Sequence, residues 1–386
     1  MFKEMSDNQR RVYLDAVQLD EAFSSAFQKS RSYRGGMHWK KAKGRQYLFK
    51  TRDRYGYGES LGPRSAETEK ILADFRKAKK EAKDRLATLK QRLNEQSRFC
   101  KAAMIQRVPR IVTGVLRVLE QRNLLGQNIL VVGTNAMYAY EAAAGVFLDR
   151  PLTATRDRDI LWDVRPKLSL FAEDETDPID LLDILRKADK SFEPAAPGSF
   201  RAVNRDGYMV DLIKPESTTT RTAGGLDFTA IGGKRRGREG PQSLRVEPGA
   251  KHPVWKTQPK SLVRKDPVRM GGPGDLKAAE IKSLHWLISS PKFSQVIIGD
   301  DGYPVSMVVP DPRAFSIHKV WLSEQPDREP VKKKRDEDQG LAIACLVIKY
   351  LPQYRFETSE LRMFPKDVVL KLKKKISELK LNTELY

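Results

Sequence analysis

The spacing of apolar positions changes several times along the 386-residue chain, and each change predicts a different element. Residues 1–30 carry a weak helical pattern. Downstream of Ser65, the residues Ile71, Phe75, Ala78, Ala82, Leu86, Leu89 and Leu93 recur in steps of three and four. That spacing places them on one stripe of a long, heavily charged helix. Pro63 precedes this helix, Ser65 can cap it, and Glu67 and Glu69 suit its positive end. Such a helix is expected to pack along its stripe, as an antiparallel partner or as a dimer seam.

From residue 100 to 232 the pattern alternates between helix and strand. A helix over "IVTGVLRVLEQRNLL" leads to a strand, "NILVVG", then to a helix over "NAMYAYEAAAGVF" and a strand in "RDILWD". A short helix in "DPIDLLDILRKAD" follows, then a hairpin pairing "FRAVN" with "YMVDLIKP" around Arg205-Asp206-Gly207. Residues 233–272 are basic and rich in Gly and Pro, which reads as linker. Beyond them Asp275 caps a helix over "LKAAEIKSLHWLI", and "QVIIGDDGYPVSMVV" forms a hairpin turning at Asp301-Gly302. A helix through "RAFSIHKVWLSE", a charged break in "DREPVKKKRDEDQ", an apolar helix "LAIACLVIKYL" and a last helix opened by Pro365 complete the chain. The expected divisions are therefore 1–100, 101–232, 233–272 and 273–386.

Charge narrows the function classes. Lys and Arg number 71 against 50 Asp and Glu, a formal net charge of +21, which attracts polyanions such as RNA. Within residues 31–60, cationic residues alternate with Tyr33, Trp39, Tyr47, Phe49, Tyr55 and Tyr57. Those rings either stack on the bases of a single strand or form the apolar face of a basic hairpin. The two cysteines, Cys100 and Cys345, form no CxxC pair, which argues against zinc, and Cys345 reads as a core residue. The start of the chain carries no apolar signal region. The longest apolar stretch holds Glu141 and a Gly-Thr-Asn break, so it reads as strand, turn and helix rather than a membrane span. A cytoplasmic address with no membrane partner is expected. No P-loop and no Ser/His/Asp pattern is present.

Three short stretches carry candidate chemistry. Gly133 and Thr134 sit between a buried strand and a helix, where free N–H groups and positive helix-end charge suit a phosphate. Asp157 and Asp159, in "TATRDRDILWD", lie two apart and so face one side of a strand. Two such carboxylates repel unless a cation lies between them, and Mg²⁺ takes oxygen ligands of this kind. Asp211, amid the apolar residues of "GYMVDLIKP", is a buried carboxylate that needs a cationic partner or a metal.

Taken in order, "VVGTN", "RDRD" and the single Asp211 resemble the nucleotidyltransferase fold of the DNA polymerase β superfamily. Its pattern is an apolar residue, Gly and Gly or Ser, then two carboxylates around an apolar residue, then a third carboxylate on a later strand. Thr134 stands where that family has Ser or Gly, and Arg158 stands at its apolar position. More widely, "LGPRSAETE", "VVGTNAMYAYEAAAGV" and "PRAFSIHKVWLS" resemble a little-characterised bacterial group with this fold. The resemblance implies an α+β protein: a mixed sheet with helices at the centre, a long N-terminal helix and a mainly helical C-terminal part. It further implies an ATP- or other NTP-using enzyme that passes NMP to a hydroxyl by a two-metal mechanism. Asp157, Asp159 and Asp211 would hold Mg²⁺ or Mn²⁺, and Gly133, Thr134 and Lys319 would hold the nucleotide. The +21 charge and the basic aromatic segment point to an RNA-binding protein with RNA or tRNA as the acceptor. A protein acceptor, an antitoxin partner, or a non-catalytic nucleic-acid binder on the same scaffold are the alternatives.

Overall fold

The computed structural model describes residues 2–42, 44–51, 56–126, 129–149, 152, 167–172 (backbone only), 181–215, 276, 279–281 and 283–383. The expected strand in "RDILWD" and the linker 233–272 lie outside the described residues, as do Asp157 and Asp159.

Two long helices frame one side. Helix α1 (Asp7–Ser32) opens on a reciprocal cap between Ser6 and Gln9. Helix α2 (Ala66–Ala102) opens on a matching cap between Ser65 and Thr68. The two run antiparallel, since Gln96 reaches the carbonyl of Val12 while Tyr33 meets Phe75 at the other end. Leu72, Ala82, Leu89, Leu93 and Cys100 form the buried side of α2. Ile71, expected on that stripe, is exposed instead. Leu72 takes its place one turn after Thr68, which is also buried, and a small sheet lies between the two helices in the chain. That sheet comprises β1 (Met37–Ala42), β2 (Arg45–Thr51) and β3 (Gly58–Pro63), all antiparallel.

The central unit begins with α3 (Arg110–Gln121) and β4 (Ile129–Val132), which enters a short turn of 3₁₀-helix, Gly133–Ala136, and then α4 (Met137–Ala144). Gly145, left-handed at φ 62°, ends α4 earlier than expected. The next residues, Val146–Leu148, are strand rather than helix, because they pair antiparallel with Phe2–Glu4. Glu141, the acid inside the apolar stretch, is buried, held by both Nε and Nη2 of Arg107 and by the Leu148 amide.

A mixed sheet follows from β5 (Lys167–Ala172), β6 (Arg201–Val203) and β7 (Met209–Pro215). Strand β5 runs antiparallel to β4 and parallel to β7, and β6 is antiparallel to β7. Glu193–Pro194 adds to the outer edge of β6. One face of the sheet, through Ile129, Val131, Val210 and Leu212, packs on Val112, Val115, Leu116 and Leu119 of α3 and on helix α5 (Leu181–Ala188). Each of those side chains stabilises the fold by about 1.5–3 kcal/mol relative to exposure. The opposite face, through Leu130 and Val132, packs on Leu284, Ile317, Ala344 and Leu372. The molecule is thus α+β, with the sheet between helical layers.

The hairpin Lys292–Ile298 with Pro304–Pro310 and its tight turn appear as expected, with Gly302 at φ 82°. Helices α6 (Pro312–Ser323), α7 (Pro330–Tyr350) and α8 (Lys366–Thr383) complete the chain. Three expectations are corrected here. The helix predicted over "LKAAEIKSLHWLI" is divided: Ala279–Ile281 is a strand parallel to β7, Ser283 turns left-handed at φ 61°, and only Leu284–Ser289 is helical. The charged run "KKKRDEDQ" is no break but the first turns of α7, and Asp336 and Gln339 within it are fully buried. Cys345 is half-buried rather than core, and Cys100 is buried. No described helix is long and apolar enough to cross a membrane.

Candidate active site

The site is built on one rung of the mixed sheet. Val132, at the end of β4, pairs with Ser169 of β5; Ser169 pairs with Asp211 of β7; Asp211 pairs with Arg201 of β6. Paired residues project to the same face, and strands lie about 4.8 Å apart. The Gly133–Thr134 turn is therefore two strands, about 10 Å, from the Asp211 position. Gly133 has φ 72°, a conformation that a side chain disfavours, and this lets the fully buried strand bend directly into the helical turn. The amide groups of that first turn lie at the carboxyl end of β4, and N–H groups at the start of a helical turn suit an anion.

Asp211 is 3% exposed and bidentate to Arg201, with Nε at 2.7 Å from Oδ1 and Nη2 at 3.1 Å from Oδ2. The hairpin turn fixes that register. Asn204 accepts from the Tyr208 amide at 2.7 Å through its side chain, and Gly207 takes φ 77°. Counting outward from the turn would have found Arg201 in the sequence. Carboxylate oxygens are the donors a hard divalent cation takes, so Asp211 fits that chemistry in donor type. In this structure Arg201 supplies the positive charge that a cation would bring. Among the described residues, no cluster of three or more His, Cys, Asp or Glu side chains forms a metal site.

Helix α7 closes the site from the other side. Gln339 Nε2 donates to Thr134 Oγ1 at 3.1 Å and to the Leu152 carbonyl at 2.9 Å. Leu152 directly precedes the segment that carries Asp157 and Asp159. One turn earlier on the same helix face, Asp336 accepts from Lys319 Nζ at 2.6 Å and from Arg328 Nε at 2.8 Å. Burial alone would favour a neutral Asp336; the two cations outweigh it and hold the carboxyl below its usual range. Burial pulls the Lys319 ammonium down from the ordinary lysine range, against the attraction of Asp336. His318, bonded to Ser283 Oγ at 3.2 Å, is pushed down to about 3, chiefly by burial and then by Lys319. It is a neutral packing residue at physiological pH. Gln339, Asp336 and Arg328 were not legible as site residues, because they lie in a run of charges with no apolar period.

The structure thus brings Gly133, Thr134, Asp211 and Lys319 onto elements that converge on one face of the sheet. Asp157 and Asp159 fall in the intervening, undescribed segment. Comparison with curated proteins and with solved structures returned no match. A family model described as nucleotidyltransferase matches residues 110–231 and 254–364, more than half of the chain. The turn, the Asp211 strand and the Lys319 helix all fall within the matched residues, and the chain belongs to this nucleotidyltransferase family.

Proposed function

We propose that the protein transfers a nucleoside monophosphate from an NTP to a hydroxyl of an RNA acceptor in the presence of Mg²⁺ or Mn²⁺. The observation that carries this reading is the rung Val132–Ser169–Asp211, which sets the residue before the Gly133–Thr134 turn in line with the buried Asp211. The amides beyond Gly133 and the Thr134 hydroxyl hold the β- and γ-phosphates. Asp157, Asp159 and Asp211 are the residues that would hold the metal, which when bound activates the acceptor hydroxyl and offsets charge on the leaving group. The acceptor oxygen bonds to the α-phosphorus while the bond to the bridging α–β oxygen breaks, releasing pyrophosphate. The acceptor proton is assigned to Asp211. Lys319 belongs to the nucleotide side of the site; a phosphate contact would require its ammonium to exchange Asp336 for the phosphate.

Labelled NTPs supplied with Mg²⁺ or Mn²⁺ and either total RNA or protein test the reading. Transfer to RNA, abolished in Asp157→Ala and Asp159→Ala, is the expected result. Label on protein would move the acceptor class. A second reading, a nucleic-acid-binding protein on a transferase scaffold, draws support from the Arg201–Asp211 pair, which satisfies the third carboxylate without metal. RNA binding with no transfer to either acceptor would favour it.

A further inference from the structure

The two faces of the small sheet β1–β2–β3 differ in kind. Met37, Trp39, Leu48 and Gly62 share the inner face, where Leu48 is fully buried and Gly62 lies against Thr68 of α2. Arg64 covers the Trp39 ring at 5.3 Å. The alternate residues His38, Lys40, Arg45, Tyr47 and Phe49 share the outer face. His38, Lys40 and Arg45 are exposed, and Tyr47 and Phe49 are half-exposed. His38 and Phe49 rings lie 5.8 Å apart, and the Lys40 ammonium sits 5.1 Å from the Phe49 ring centre. Among the described strand residues no carboxylate shares this face; Glu59 pairs opposite Lys50, on the inner parity.

We infer that this outer face is a docking surface for single-stranded RNA, with Tyr47 and Phe49 stacking on bases and Lys40 and Arg45 meeting phosphates. The inference rests on the RNA acceptor proposed above and says where that acceptor is gripped. The sheet has an apolar inner face, as expected of a basic hairpin, and leaves Tyr47 and Phe49 half-exposed on the other. Leu48 is buried on the inner face and Gly62 meets Thr68 of α2 there, while Tyr47 and Phe49 lie on the opposite face. Flat aromatic rings beside fixed cations and free of carboxylates suit a strand with unstacked bases. A duplex hides its base faces and offers those rings nothing to stack on.

The test is binding of a fluorescein-labelled, mixed-sequence 15-nucleotide RNA to the full chain without NTP, read by anisotropy. The single strand is expected to bind more tightly than the same RNA annealed to its complement. Tyr47→Ala/Phe49→Ala should weaken it by about ten- to a hundredfold. Tyr47→Phe and Phe49→Tyr, which keep the rings, should bind as wild type. Lys40→Ala/Arg45→Ala should make the dependence of log K on log salt shallower by about 1.4, two single-strand phosphate contacts' worth. Equal binding of the ring-deleted and wild-type proteins, with unchanged melting temperatures, overturns the inference, as does a wild type that prefers the duplex or binds no RNA. Because no nucleotide is transferred in this assay, loss of binding in the variants supports the surface even if the wild type transfers nothing to RNA.

Discussion

Gln339 and Thr134, 205 residues apart in sequence, are joined by a 3.1 Å hydrogen bond from amide to hydroxyl. The second proton of the same amide group goes to Leu152, so one buried side chain ties the turn to the start of the Asp157–Asp159 segment. Gln339→Leu keeps the volume and removes both donors. It is expected to cost about 1–3 kcal/mol, seen as a lower urea midpoint at unchanged slope. In the transfer assay, KM for the NTP should rise more than kcat falls; the reverse split would remove Gln339 from the nucleotide side.

Asp336 is fully buried between Lys319 and Arg328. Asp336→Leu strands the buried Lys319 charge and is expected to destabilise by about 3–5 kcal/mol. Adding Lys319→Met should recover much of that loss, because an apolar pair of similar size avoids burying charge. Chemical denaturation of the two single variants and the double variant completes the cycle. Additive losses would mean that the pair is not coupled.

Arg201→Met leaves Asp211 buried without its cation. The expected loss is about 3 kcal/mol, toward the low end for a buried pair because the guanidinium is partly exposed. If Asp211 binds metal, Mn²⁺ should raise the melting temperature of this variant more than that of wild type. Equal shifts would argue against Asp211 as a ligand.

Asp20, on α1, has its pKa pushed up to about 7, first by burial and then by nearby Glu120, with Arg117 opposing. The unfolded value is about 3.9. Between about pH 4 and 7 the folded chain therefore holds a proton that the unfolded chain has lost, and stability falls as pH rises through that window. Asp20→Asn should flatten this decline and be more stable than wild type at pH 8. Denaturation at pH 5 and pH 8 checks it; an equal pH dependence in both proteins would refute the assignment.

Elements with local signals were legible in the sequence. Ser65 capped the long helix, Asp301-Gly302 turned its hairpin, and "NILVVG" was a strand ending in a glycine turn. Elements defined by distant partners were not. Val146–Leu148 is a strand only because Phe2–Glu4 lies beside it, and Ala279–Ile281 only because the end of β7 offers an open edge. The candidate site divides in the same way. Gly133, Thr134 and Asp211 stood out by local context and Arg201 follows from the register of its hairpin, whereas Asp336 and Gln339 acquire their roles from packing across the fold.

Helix α1 is fastened to the central unit along its whole length. Tyr13 bonds to the Val296 carbonyl, Ser24 to Glu120, Gln28 to Asn123 and Arg31 to the Gln121 carbonyl. The sheet that follows α1 is therefore not a module on a swinging tether. The end of α1 from which the sheet departs is bonded, at Gln28 and Arg31, to the unit that carries the turn at Gly133, as a gauge ties its stop to its edge. On the RNA reading proposed above, a strand gripped on that face and reacted at the turn would be selected by length: too short, and its hydroxyl never arrives; longer by a few nucleotides, and the excess must loop out.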